Sequence, residues 1–108
     1  MKDCTVNILG TDYEIKYLEL KDEGIDGDCD STGHQIRIRS DNTNNVRNME
    51  ELQKVTLRHE LIHAFIYESG LAFSWQHPEQ FGHDETTVDW FARLSPKIFK
   101  VFKELDIL

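Results

Sequence analysis

The chain has 108 residues, enough for one hydrophobic core and too few for two, so a single domain spanning residues 1–108 is expected. Its hydrophobic content of 39% and charged content of 30% are ordinary for a soluble globular chain, and no apolar run reaches the length of a membrane span. A net charge of −8 opposes electrostatic capture of nucleic acid or of an anionic membrane face.

Met1 to Thr5 lead straight into an alternating pattern, with no apolar stretch of the kind a secretory signal needs; this points to a cytoplasmic setting. The two cysteines, Cys4 and Cys29, form no C-x-x-C pair and are expected as free thiols. Residues 5–9 alternate with Val6 and Ile8 on one face, and residues 12–18 with Tyr13, Ile15 and Tyr17. A short turn at Gly10-Thr11 predicts a hairpin. Residues 19–33 turn polar and glycine-bearing, which reads as loop.

Within that loop, Asp26, Asp28 and Asp30 place acids at every second residue, as in the opening of an EF-hand. The sixth position is Ser31 where glycine is needed, and the twelfth is Arg37 where a bidentate glutamate is needed, so a solvated acidic turn is the better reading. Residues 34–39 alternate again, with Ile36 and Ile38 inward and Arg37 and Arg39 outward; this third strand, guarded by arginines, suits a sheet edge. His34 is expected at the surface. An edge strand there could take up an extended peptide by strand addition.

A polar stretch, Ser40 to Asn48, supplies an asparagine or aspartate cap for a helix expected over 46–69, with Gly70 as its terminator. This helix carries His59-Glu60-Leu61-Ile62-His63, the pattern H-E-x-x-H. Residues four apart share a helix face, so His59 and His63 present two imidazoles to one point. Glu60 lies about 100° round the helix, close enough to lean over a water at that point. Such a pattern is a zinc-hydrolase signature in which the glutamate is the general base. Leu57, Leu61, Ala64 and Phe65 border the stripe on one flank, and Leu52, Val55, Ile62 and Ile66 on the other, which predicts a helix buried in the middle of the domain.

Leu71 to Gly82 form an aromatic connector with Phe73, Trp75 and Phe81, expected to pack over the helix or line a cleft. A last helical segment follows from Asp84, a plausible cap. Ser95-Pro96 either kinks it or starts a new helix, and Ile98, Phe99, Val101, Phe102 and Leu105 form an apolar stripe assigned to the core.

Catalytic zinc usually takes three protein ligands and keeps one position open. The longer pattern H-E-x-x-H-x-x-G-x-x-H fails, because Ile66 and Ser69 stand where glycine and the last histidine belong. The third ligand must come from His77, Glu79, His83, Asp84, Glu85 or Asp89. Glu85 is preferred, because Asp89 follows one turn later on the same face and could orient a ligating histidine; spacing leaves His83 as the competing choice.

Together, the strand ending Gln35-Ile36-Arg37-Ile38, the segment Thr56-Leu57-Arg58-His59-Glu60-Leu61-Ile62-His63-Ala64, and the later Glu85-x-x-x-Asp89-Trp90-x-Ala92 resemble the small gluzincin-type metallopeptidases. The likeness is nearest to ImmA/IrrE-like and related phage or mobile-element enzymes and covers nearly the whole chain. H-E-x-x-H is shared by many zincins, and E-x-x-x-D narrows it. ImmA/IrrE-like proteins often carry an extra carboxy-terminal domain that sets the target, which these residues do not include. The resemblance implies that His59, His63 and Glu85 bind Zn2+, that Glu60 activates water and that Asp89 orients His59. It implies an α+β, minimal zincin-like domain, a three-stranded twisted sheet whose edge aligns substrate, packed on the H-E-x-x-H helix and a carboxy-terminal helix. The expected activity is zinc-dependent hydrolysis of a peptide bond in a protein or peptide substrate, without nucleic-acid or membrane partners. Tyr67, His77 and His83 are candidates to stabilise the oxyanion. The alternative is a zinc-stabilised protein-binding or antirepressor module without catalysis.

Overall fold

The computed structural model describes residues 1–71 and 85–108. In chain order these form β1 (Cys4–Ile8), β2 (Thr11–Leu18), β3 (Gly27–Asp30), β4 (Gln35–Arg39), α1 (Met49–Glu68) and α2 (Glu85–Glu104). The class is α+β, with four strands in the order β1-β2-β4-β3 rather than the three expected. β1 pairs with β2, and β3 with β4, antiparallel; β2 and β4 run parallel. Among the described residues no helix is long and apolar enough to cross a membrane.

The alternation in β1, β2 and β4 does what it predicts. Ile8, Tyr13, Ile15, Ile36 and Ile38 share one face and form the core with Ala64 of α1, and Leu57, Leu61, Val6 and Tyr17 pack around them. Cross-strand register sets Ile15 opposite Ile36 and Tyr17 opposite Ile38. The hairpin turn is Leu9-Gly10, both at positive φ, one residue earlier than expected.

Three sequence expectations are corrected here. The segment 27–30, read as loop, is β3. Its strand character is supplied by its neighbour: Cys29 lies opposite Ile36 toward the core, and Asp28 lies opposite Arg37, with which it pairs. β4 is therefore an interior strand, and the edge is β3. Arg39 is buried rather than outward; Asp41 and Thr43 accept its guanidinium hydrogen bonds at 2.9 and 2.8 Å, and Asp41 also accepts the Leu20 amide at 2.8 Å. That network fastens the end of β2 to the loop after β4. The acids of the discarded calcium loop are engaged: Asp28 by Arg37, Asp26 by Arg39 at 3.7 Å, and Asp30 by the Thr32 and Gly33 amides. His34, at φ 54°, closes this hairpin.

α1 starts at Asn48, whose side chain accepts the Glu51 amide at 3.1 Å, and ends at Ser69-Gly70, with Gly70 at φ 83°. Both ends are tied to the sheet. Gln53 donates to the Arg39 carbonyl at 2.9 Å, while Tyr13 and Thr11 donate to the Glu68 carboxylate at 2.7 and 2.9 Å. The expectation of a fully buried helix does not hold: only Val55, Thr56, Glu60 and Ala64 are buried, and Phe65 is 44% exposed. α1 covers one face of a sheet, and its apolar residues beyond the contact stripe remain half covered.

α2 continues through Pro96 as one helix. It packs on α1 through Val88, Ala92 and Ser95, all buried. Of the stripe assigned to the core, Phe99, Val101 and Leu105 are instead exposed and Ile98 is half-buried. Beyond Leu71, the aromatic connector with Phe73, Trp75 and Phe81 lies outside the described residues, as does Asp84.

Candidate metal centre

One turn of helix sets His59 and His63 side by side, with ring centroids 5.0 Å apart. Glu85, in the first turn of α2, reaches both: its carboxylate oxygens stand 3.1 Å from His59 Nε2 and 2.8 Å from His63 Nε2. The three donors all lie within 4.8 Å of one another. Asp89, one turn further along α2, faces the other ring nitrogen, with its Oδ1 3.5 Å from His59 Nδ1. The same carboxylate accepts a hydrogen bond from Arg93 at 2.8 Å. That bond, with the weaker contribution of His59, holds Asp89 below the ordinary aspartate range against partial burial.

Glu60 is buried beside His59. Burial pushes its carboxyl up to about 7; Glu85 and Asp28 add to the shift and His59 opposes it. Cys29 faces the same space, and burial first, then the Glu60 charge, pushes its thiol up to about 12. It is therefore protonated at neutral pH and is a poor nucleophile.

The cleft extends to both sides of the trio. One lobe, about 350 Å³, is lined by Asp28, Cys29, Ser31, His63 and Tyr67. The other, about 310 Å³, has an apolar wall of Ile25, Leu52 and Val55, with Asp89 and Arg93 at its end. Gly27, His59, Glu60 and Glu85 belong to both lobes, so His59 and Glu85 stand where the lobes meet, with β3 along one bank.

Gly27 explains how α1 comes so close to that strand. A Cβ there would stand 2.7 Å from the Thr56 methyl carbon and 2.7 Å from the Arg37 carbonyl oxygen. Only glycine admits this approach.

Of the residues the sequence proposed, His59, His63 and Glu85 converge, Glu60 lies beside them, Asp89 backs His59 and Tyr67 lines the cleft. His77, Glu79, His83 and Asp84 lie outside the described residues. Sequence reasoning missed the β3 contribution of Gly27, Asp28 and Cys29. The available signal was the pairing of an acid-rich stretch with the arginines of 34–39, which marks a charged cross-strand face.

The donor chemistry suits zinc. Two imidazole nitrogens and one carboxylate are a recurrent catalytic set, and here one donor atom from each residue falls within 4.8 Å of the other two. No family model, curated protein or solved structure matches the chain.

Proposed function

We propose that this chain is a zinc-dependent peptidase of minimal zincin-like architecture, with His59, His63 and Glu85 holding the metal. The observation that carries the reading is the convergence of the trio, from two helices, in a groove with a buried carboxylate at its side. A structural zinc site is usually closed by four protein ligands, whereas among the described residues this set supplies three, with Glu60 beside it for the chemistry. When bound, zinc supplies Lewis acidity that polarises a scissile carbonyl and stabilises negative charge on its oxygen.

The chain's own residues do the rest. Glu60 takes a proton from the attacking water and delivers it to the amine that leaves as the C–N bond breaks. Asp89 accepts from His59 Nδ1, fixing the tautomer that turns Nε2 toward the metal position. β3, as the sheet edge along the groove, offers backbone groups to an extended substrate by strand addition, and the lobes on either side leave room for residues flanking the scissile bond.

Glu60→Gln tests the reading. The variant should retain zinc by elemental analysis while cleavage of a peptide library falls by at least about 10²-fold. Unchanged cleavage rejects Glu60 as the base. Stoichiometric zinc without cleavage by the wild type favours the protein-binding alternative.

A further inference from the structure

Ala92 sits at the centre of the seam between the two helices, fully buried. In a regular helix its carbonyl accepts the N–H of the residue four positions on. That residue is Pro96, which has no N–H and whose ring crowds the carbonyl it should satisfy. The Ala92 oxygen instead accepts a hydrogen bond from Nε of Arg58, across the interface. Arg58 directly precedes His59, and Ala92 lies two turns after Glu85.

We propose that Arg58 is a positioning residue which, by filling the acceptor that Pro96 leaves open, sets the register of α2 on α1 and so brings Glu85 opposite His59 and His63. The metal part of this inference rests on the reading of those three residues as ligands. Val88 and Ala92 meet α1 through small apolar contacts that are not directional, with Ser95 buried beside them. The directional contacts of Glu85 and Asp89 with the imidazoles are made by the very groups to be positioned. A slip of one residue moves a helix by about 1.5 Å and turns it by about 100°. Either displacement takes the Glu85 oxygens out of their 2.8 and 3.1 Å reach of the imidazoles. A directional bond to a carbonyl that Pro96 deprives of its regular helical donor resists such a slip. Proline inside α2, costly on helix propensity alone, thereby gains a role.

The test combines Arg58→Met, which keeps an unbranched apolar stem and removes the donor, with Pro96→Ala, which returns an N–H to the Ala92 carbonyl. In metal-free protein, Arg58→Met should lower the folded-to-unfolded ratio about tenfold, the effect of orphaning a buried acceptor. In the Pro96→Ala background the same change should cost no more than about threefold. Additive effects overturn the bond.

Zinc affinity, measured by competition with a chromophoric chelator, separates positioning from mere stability. Arg58→Met should weaken it about tenfold or more, and the double variant should recover stability without recovering affinity. Equal affinity in wild type and Arg58→Met overturns the positioning role. If the wild type itself takes up no zinc, the ligand reading fails by itself. The register is then judged in the metal-free protein: His59 and His63 ring resonances should move in Arg58→Met, and unchanged resonances overturn it.

Discussion

Gly27→Ala measures how closely the site-bearing helix must sit on the sheet edge. The new methyl would stand 2.7 Å from Thr56 Cγ2, 2.7 Å from the Arg37 carbonyl oxygen and 3.4 Å from Ile38 Cδ1. Ordinary carbon contacts are about 3.5–4.0 Å, so the crowded partners must retreat by roughly 1 Å. Neither retreats easily. Thr56 is β-branched and buried, and the Arg37 carbonyl belongs to the interior strand. The adjustment falls on the α1–β3 separation, at a cost of about 1–3 kcal/mol for overpacking. His59 and Glu60 lie within a turn of Thr56, and a displacement of about 1 Å at reacting groups costs on the order of 10² in rate. Urea unfolding should show the lower midpoint, and cleavage by the same sample should fall further than the loss of folded protein explains. Thr56→Ser in the Gly27→Ala background removes the crowding methyl and should restore part of both. A Gly27→Ala protein with wild-type midpoint and turnover refutes the close seating.

Glu85→Ala should abolish zinc retention at equimolar metal while His83→Ala keeps it; loss in the His83 variant alone reassigns the third ligand. Tyr13→Phe removes a donor 2.7 Å from the Glu68 carboxylate inside a fully buried ring and should lower stability by about 1–2 kcal/mol in urea, with Thr11 retaining its own bond. The Tyr13 hydrogen bond, then that of Thr11, holds the Glu68 carboxyl below its ordinary range. Its folded value is depressed, so its contribution is complete above the ordinary glutamate range and is lost as pH falls through the folded value. Thermal melts from pH 6 downward should show this acid limb, and Tyr13→Phe should flatten it; an identical limb in the variant assigns the acid sensitivity elsewhere.

Much of the site could be read from the chain because its logic is short-ranged. Two histidines four apart share a face on any helix, Asn48 and Gly70 bound that helix by local hydrogen bonding, and the alternation in β2 and β4 assigns the core face. Such signals extend over about ten residues or fewer. The position of β4 inside the sheet, the edge role of β3, the burial of Arg39 and the exposure of Phe99 and Leu105 were not legible in this way. Asp28 makes a strand residue only because Arg37 lies opposite, and Gly27 matters only because Thr56 arrives from another element. The sequence by itself determined the two-histidine face and the carboxylate beside it. Tertiary structure alone decided that Glu85 meets that face, because the meeting depends on the register of one helix on another, which non-local contacts set.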